Sequence, residues 1–263
     1  MLGLGNTLSG GIVPAAVSSF SDTKAITGIT STSTYLSSTT NLPQVFHHAT
    51  AQQEWTFVHR FEYDKDETHY TFGMGFSSGK YFSFGYWGQN TQCLVWTFQE
   101  AHSGGGHMPV NQTDLNASGK WTIVITKTGD TNEDLKVYIN NGSAFDTSSN
   151  PTNTIGLYTS APTSLTIGKS AHGGGFPYGG DKKMNDFAIF DGAFSEAEAT
   201  EAYNSGDTLD LRTHSRASDL EHYWLMGDGD DGAGTNDGTT IYDMAGDCDL
   251  TMNGIDATDI VTW

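Results

Sequence analysis

Between Glu54 and Asp64 the chain alternates with a period of two. Trp55, Phe57, His59, Phe61 and Tyr63 fall on one face of an extended segment, and Thr56, Val58, Arg60 and Glu62 on the other. The aromatic face is expected to be the buried one. A turn, KDET, leads into HYTFGMGFSSGKYFSFGYWG, which reads as two or three strands broken at Ser77 to Gly79. Further strands are predicted at 93–100, 120–129, 135–142 and 164–170, with a polar turn from Asp130 to Asp134 and a hairpin signal at Asn140-Asn141-Gly142. The segment KMNDFAIFDGAFSEAEATEAYNSG begins as a strand and ends in one short helix near 195–204. Ser195 is placed to cap that helix, Glu198 stands three residues on, and Gly206 closes it. The pattern as a whole is all-β and antiparallel.

Three regions differ in texture. Residues 1–19 are small, glycine-punctuated and mildly apolar, as in an arm that docks on a neighbour rather than a core element. Residues 20–206 carry the strand pattern. Residues 207–263 hold two or three further strands around an acidic, glycine-rich loop, and are expected to complete the main body.

Composition sharpens this. The chain's 32 glycines and 14 Phe, 11 Tyr and 6 Trp suit short pleated strands joined by tight turns, in a length of 263 residues that one β-sandwich can fill. A formal charge of −19 argues against nucleic acid as a partner, because that affinity comes from neutralising phosphates. Two cysteines, Cys93 and Cys248, are too few for a disulfide framework. One pairing is open to them, and two buried thiols are the simpler expectation. The start shows no basic region followed by an apolar run, and no stretch is long enough to span a bilayer, so neither a signal peptide nor a membrane partner is expected.

Three segments in order, EWTFVHRFEYD, KWTIVITKTGDTNEDLKVYINN and SLTIGKS with KKMNDFAIFDGAFSEAEATEAYNSG, resemble the concanavalin-A-like lectin/glucanase superfamily, in particular its laminin-G-like and pentraxin-like members. The resemblance implies an antiparallel two-sheet jelly-roll β-sandwich. The later stretch DLEHYWLMGDGDDGAGTNDGTTIYDMAGDCDLTMNG looks like the segment that normally opens such domains, so residues 220–226 are expected to supply a permuted first strand. The MLGLGN start, the laminin-G-like body and this tail together resemble small virion proteins of marine tailed bacteriophages.

Candidate chemistry follows from these segments. Glucanases of the superfamily use E-x-D-x-x-E, and Glu62, Asp64 and Glu67 match that spacing. Here the run leaves the strand for a turn, which deprives a nucleophile and an acid of a rigid base. Asp228, Asp230, Asp231, Asn236, Asp237 and Asp243 gather oxygen ligands suited to Ca²⁺, in an order unlike an EF-hand. The superfamily's paired acids near the end of the body become Asn185-Asp186. His172, Phe176 and Tyr178, on or beside the loop GGGFPYGG, are candidate ligand contacts. His102 and His107 flank a glycine loop and have no zinc-type spacing.

The expectation is a non-enzymatic virion surface or structural protein, a head decoration or fibre component. It would be assembled in the host cytoplasm, joined to other virion proteins and to copies of itself through the arm, and able to bind a host glycan. A lectin-like carbohydrate-binding module is the alternative, and a glucan hydrolase ranks third.

Overall fold

The alternating segments fold into two antiparallel sheets laid face to face. The computed structural model describes residues 20–46 (30 and 32 apart), 54–63, 68–87 (78 apart), 92–98, 106–111, 119–128, 135–139, 145–146, 160–169, 183–228 and 238–263. In chain order the strands are β1 (Lys24–Ile26), β2 (Tyr35–Ser38), β3 (Trp55–Tyr63), β4 (Thr68–Phe76), β5 (Tyr81–Trp87), β6 (Gln92–Phe98), β7 (Gly106–Asn111) and β8 (Gly119–Lys127). They continue with β9 (Leu135–Ile139), β10 (Phe145–Asp146), β11 (Pro162–Ile167), β12 (Lys183–Asp191), helix α1 (Glu196–Tyr203), β13 (Leu220–Leu225), β14 (Thr240–Ile241), β15 (Leu250–Asn253) and β16 (Ile260–Thr262). The first sheet runs β10-β9-β8-β3-β12-β1-β16, with β13 also paired to β12; the second runs β14-β15-β2-β11-β4-β5-β6-β7. This is an antiparallel two-sheet jelly-roll β-sandwich with one short helix. Among the described residues no helix is long and apolar enough to cross a membrane.

The inter-sheet core is strongly aromatic. Phe46 bridges the layers, with its ring 5.4 Å from Trp55 and 5.3 Å from Phe57 of one sheet, and 5.9 Å from Phe72 and 5.7 Å from Phe82 of the other. Such offset and edge contacts add to the area each ring buries. Trp224 of β13 joins this core and donates its indole N–H to the Cys248 carbonyl at 2.7 Å. Cys248 itself is a buried free thiol whose pKa burial pushes up to about 12.

The expectation that only the aromatic face of β3 is buried needs correction. Thr56, Val58 and Arg60 on its other face are 0%, 0% and 2% exposed. A second apolar layer covers them. Val58, Val124, Ala188, Phe190 and Tyr223 pack beneath Phe194, Ala199, Ala202 and Leu211, so α1 and the turns after it cover the outer side of the first sheet. Alternation shows which residues share a face; it does not show whether a later part of the chain covers that face.

Two further boundaries differ from the sequence reading. Residues 106–111, for which the sequence pattern predicts no strand, form β7 at the edge of the second sheet, with Leu94 opposite Pro109. Proline is tolerated at such an edge because its missing N–H costs no ladder bond. The helix has the expected capping box between Ser195 and Glu198, but it ends at Asn204, which is left-handed at φ 47°, two residues before Gly206.

Candidate functional site

A β-bulge on β12 builds the first constellation. Met184 pairs with Phe61 and Asp186 with Arg60, so Asn185 is the extra residue, and the inward alternation resumes at Phe187. The shift places Asp186 opposite Arg60, on the outer face. The Arg60 guanidinium donates through Nη1 to Asp186 and through Nη2 to the Ala202 carbonyl at 2.6 Å, tying β3 to the end of α1. Asn185 donates through Nδ2 to the Asp22 carboxylate and, at 2.8 Å, to the Lys24 carbonyl. Asp22 Oδ2, Asn185 Oδ1, Asp186 Oδ1 and Arg60 Nε–H are buried without a protein partner. Burial, and then the Asp186 charge, push Asp22 up to about 8, while the Arg60 guanidinium works against burial at Asp186.

The second constellation centres on Asp243. Its Oδ1 accepts from the backbone N–H groups of Tyr223, Ala245 and Gly246, and its Oδ2 from His222 Nδ1 and the N–H of Cys248. Burial works against ionisation, yet the His222 bond and the backbone donors hold this carboxyl below its ordinary range. Gly246 is required here, since a Cβ would lie 2.7 Å from the Glu221 carbonyl and 2.8 Å from Asp243 Oδ2. Asp243 thus fastens β13 to the 243–249 turn.

That geometry bears on the proposed calcium ligands. Asp243 has its oxygens saturated by protein donors, and Asp228 Oδ2 accepts from the N–H groups of Thr23 and Lys24. Asp243 thus has no oxygen free for a cation, while among the described residues Asp228 Oδ1 meets only the Thr23 hydroxyl, at 3.4 Å. Asp230, Asp231, Asn236 and Asp237 lie outside the described residues, as do His172, Phe176, Tyr178, Asp64 and Glu67. Among the described residues no group of three His, Cys, Asp or Glu side chains is placed to hold a metal ion. Glu62, the described member of the E-x-D-x-x-E run, faces Lys183 Nζ at 3.4 Å at the end of its strand.

The third constellation is open to solvent and was not foreseen from the sequence. A notch of about 60 Å³ lies on the outer side of the first sheet, lined by Arg60, Thr122, Lys120, Tyr203 and Trp263 among others. The exposed Lys120 places its ammonium 4.3 Å from the centre of the Trp263 ring. Arg60 reaches this place from β3, Lys120 and Thr122 from β8, Tyr203 from the last turn of α1, and Trp263 from beyond β16. Trp263 is anchored by its backbone N–H to the Thr23 carbonyl at 2.8 Å. One readable signal was present: Arg60 is the one Arg or Lys in a strand rich in aromatic side chains, and a charge in that setting needs a partner.

No family model matches the chain, and no curated protein matches it. Among solved structures it is similar to a heptameric SAP-like pentraxin from Limulus polyphemus, at 15% identity and a TM-score of 0.41, covering 69% of this chain and 81% of that one. It is similar to the CBM40 module of a Ruminococcus gnavus IT-sialidase at 11% identity and a TM-score of 0.45, covering 68% and 97%. Domains LG4-5 of the mouse laminin α1 chain match at 7% identity and a TM-score of 0.43, covering 68% and 44%.

Proposed function

We propose that the chain is a non-enzymatic recognition sandwich that binds glycan, carried on a tailed-phage particle as a head decoration or fibre component. The observation behind the recognition half is the outer notch, where Tyr203 and Trp263 stand beside the Arg60 guanidinium and the Lys120 ammonium. Aromatic walls with a few convergent donors are the usual chemistry of a small polar-ligand site. The described acids support a non-catalytic reading: Asp186 and Asp243 are committed to Arg60 and His222, and Glu62 to Lys183. Glycoside cleavage asks instead for two carboxyls facing a common cleft, about 5–9.5 Å apart.

The particle half rests on the sequence resemblance and on the arm-like residues 1–19. Two measurements test the whole. A glycan array probed with the full chain is expected to give discrete positives. Light scattering is expected to show a symmetric oligomer that dissociates when residues 1–19 are removed. A monomer with a positive array would leave a lectin-like module and remove the particle role; an array without positives would remove the glycan role. The calcium reading of the acidic loop rests on Asp228, Asp230, Asp231, Asn236 and Asp237. Calorimetric titration with Ca²⁺ is expected to give heat that disappears in the Asp230→Asn, Asp231→Asn double variant, and a wild-type chain giving none would end it.

A further inference from the structure

We infer that the notch between Tyr203 and Trp263 selects a carboxylate-bearing sugar residue, a uronate, over neutral sugars. The inference rests on the glycan-binding reading above and specifies its ligand. Three features of the notch lead to it.

The first is an unmet donor. Arg60 is 2% exposed and lines the notch. Its two terminal nitrogens are taken by Asp186 and the Ala202 carbonyl, and its Nε–H is buried with no protein acceptor. A buried donor left unmade is costly, so an acceptor that reaches Arg60 through the notch is favoured. The second feature is the Lys120 ammonium at the lip, held over the Trp263 ring. With Asp186 balancing Arg60, Lys120 is the net positive charge facing the opening. One N–H and one ammonium match the two oxygens of a monoanionic carboxylate. A phosphate would bring more charge and three acceptors toward Asp186, which is paired with Arg60 and opposes a second negative charge.

The third feature is shape. A volume of about 60 Å³, room for a few water-sized groups, receives a carboxylate. Tyr203 and Trp263 offer aromatic surface to the C–H faces of the ring that carries it. Hydroxyls alone would meet the Arg60 donor but would leave the ammonium without an anion. The notch thus divides its work between a stacking contact common to all pyranoses and a charge contact that only an acidic sugar completes.

The test is calorimetric titration of the full chain with trimeric oligouronates of three backbones (galacturonate, glucuronate and mannuronate), against the neutral trisaccharide cellotriose. At least one oligouronate is expected to bind ten-fold or more tightly than cellotriose. Trp263→Ala is expected to weaken that binding at least ten-fold and Lys120→Gln about five-fold. Lys169→Gln serves as the control, because Lys169 lies 4.1 Å over the Tyr35 ring in the other sheet; it is expected to change nothing. Should Trp263→Ala melt early, Lys120→Gln at its exposed position carries the test. Cellotriose binding as tightly as every oligouronate, or oligouronate binding indifferent to Lys120→Gln, overturns the inference. Positive neutral glycans on the array with the notch variants unaffected would also overturn it while leaving glycan recognition intact. Binding of no glycan, acidic or neutral, would overturn both.

Discussion

At the residue scale, Asp22 carries the clearest physical consequence. It is 7% exposed, its Oδ1 accepts from Asn185, and its Oδ2 faces burial without a donor. A carboxylate in that position costs desolvation and lies near the Asp186 charge, with Asp228 adding to the repulsion and Arg60 easing it. A proton on Asp22 removes the charge that burial penalises. The folded chain therefore holds this proton up to about pH 8, whereas the unfolded chain releases it near the ordinary 3.8. Between those values the native state binds more protons, so stability is fully present below the lower one and falls as pH rises toward the upper one. A tenfold change in proton affinity is worth about 1.4 kcal/mol, which makes the loss across the whole interval on the order of 6 kcal/mol. Asp22→Asn imitates the protonated group. Urea unfolding from pH 5 to pH 9 is expected to show a flatter profile for the variant, and higher stability than wild type at pH 9. Parallel profiles would show that Asp22 titrates normally.

At the element scale, the same sequence yields both what can be read directly and what cannot. The period-two run of β3 and the capping box of α1 are local, so the residues that fix them sit within a few positions of one another. β7 escaped because glycines and Pro109 mark loops in sequence, while pairing to β6 is a long-range fact. The Asp243 knot escaped for a related reason: an aspartate in an acidic glycine-rich run looks solvated until β13 is laid against it. That knot makes a firm prediction. Asp243→Ala leaves His222 Nδ1 and the N–H groups of Tyr223, Ala245, Gly246 and Cys248 without their acceptor. Breaking one side of a buried charged network costs roughly 3–5 kcal/mol, far above the ~1 kcal/mol expected for removing the helix cap with Ser195→Ala. Chemical denaturation of the two variants checks the ranking, and equal costs would show that the knot is dispensable.

At the scale of the whole molecule, the notch illustrates why a site can be hidden in a chain whose fold is legible. Its contributors stand at positions 60, 120, 203 and 263, and only closing of the sheets and the return of the last strand bring them together. The fold could be recognised from ordered segments, each with its own pattern; the notch has no pattern of its own. The closing strands also set how the molecule should respond to truncation. Beyond residue 206 the chain supplies β13 to β12, β14 and β15 to the edge at β2, and β16 to β1. It also buries Leu211, Trp224, Leu225, Met226, Ile241 and Leu250, each at most 2% exposed. At about 1.5–3 kcal/mol for each such side chain, these six contribute on the order of 9–18 kcal/mol. A domain's whole net stability is about 5–15 kcal/mol. A chain ending at Gly206 is therefore expected to lose cooperative unfolding, to lose the near-ultraviolet circular dichroism of its packed aromatics, and to bind a hydrophobic dye through the uncovered faces of β12 and β3. If the shortened chain instead melts in one sharp transition with its aromatic signal intact, the last 57 residues are an appendage, and the wall that Trp263 gives the notch lies outside the part of the molecule that holds itself together.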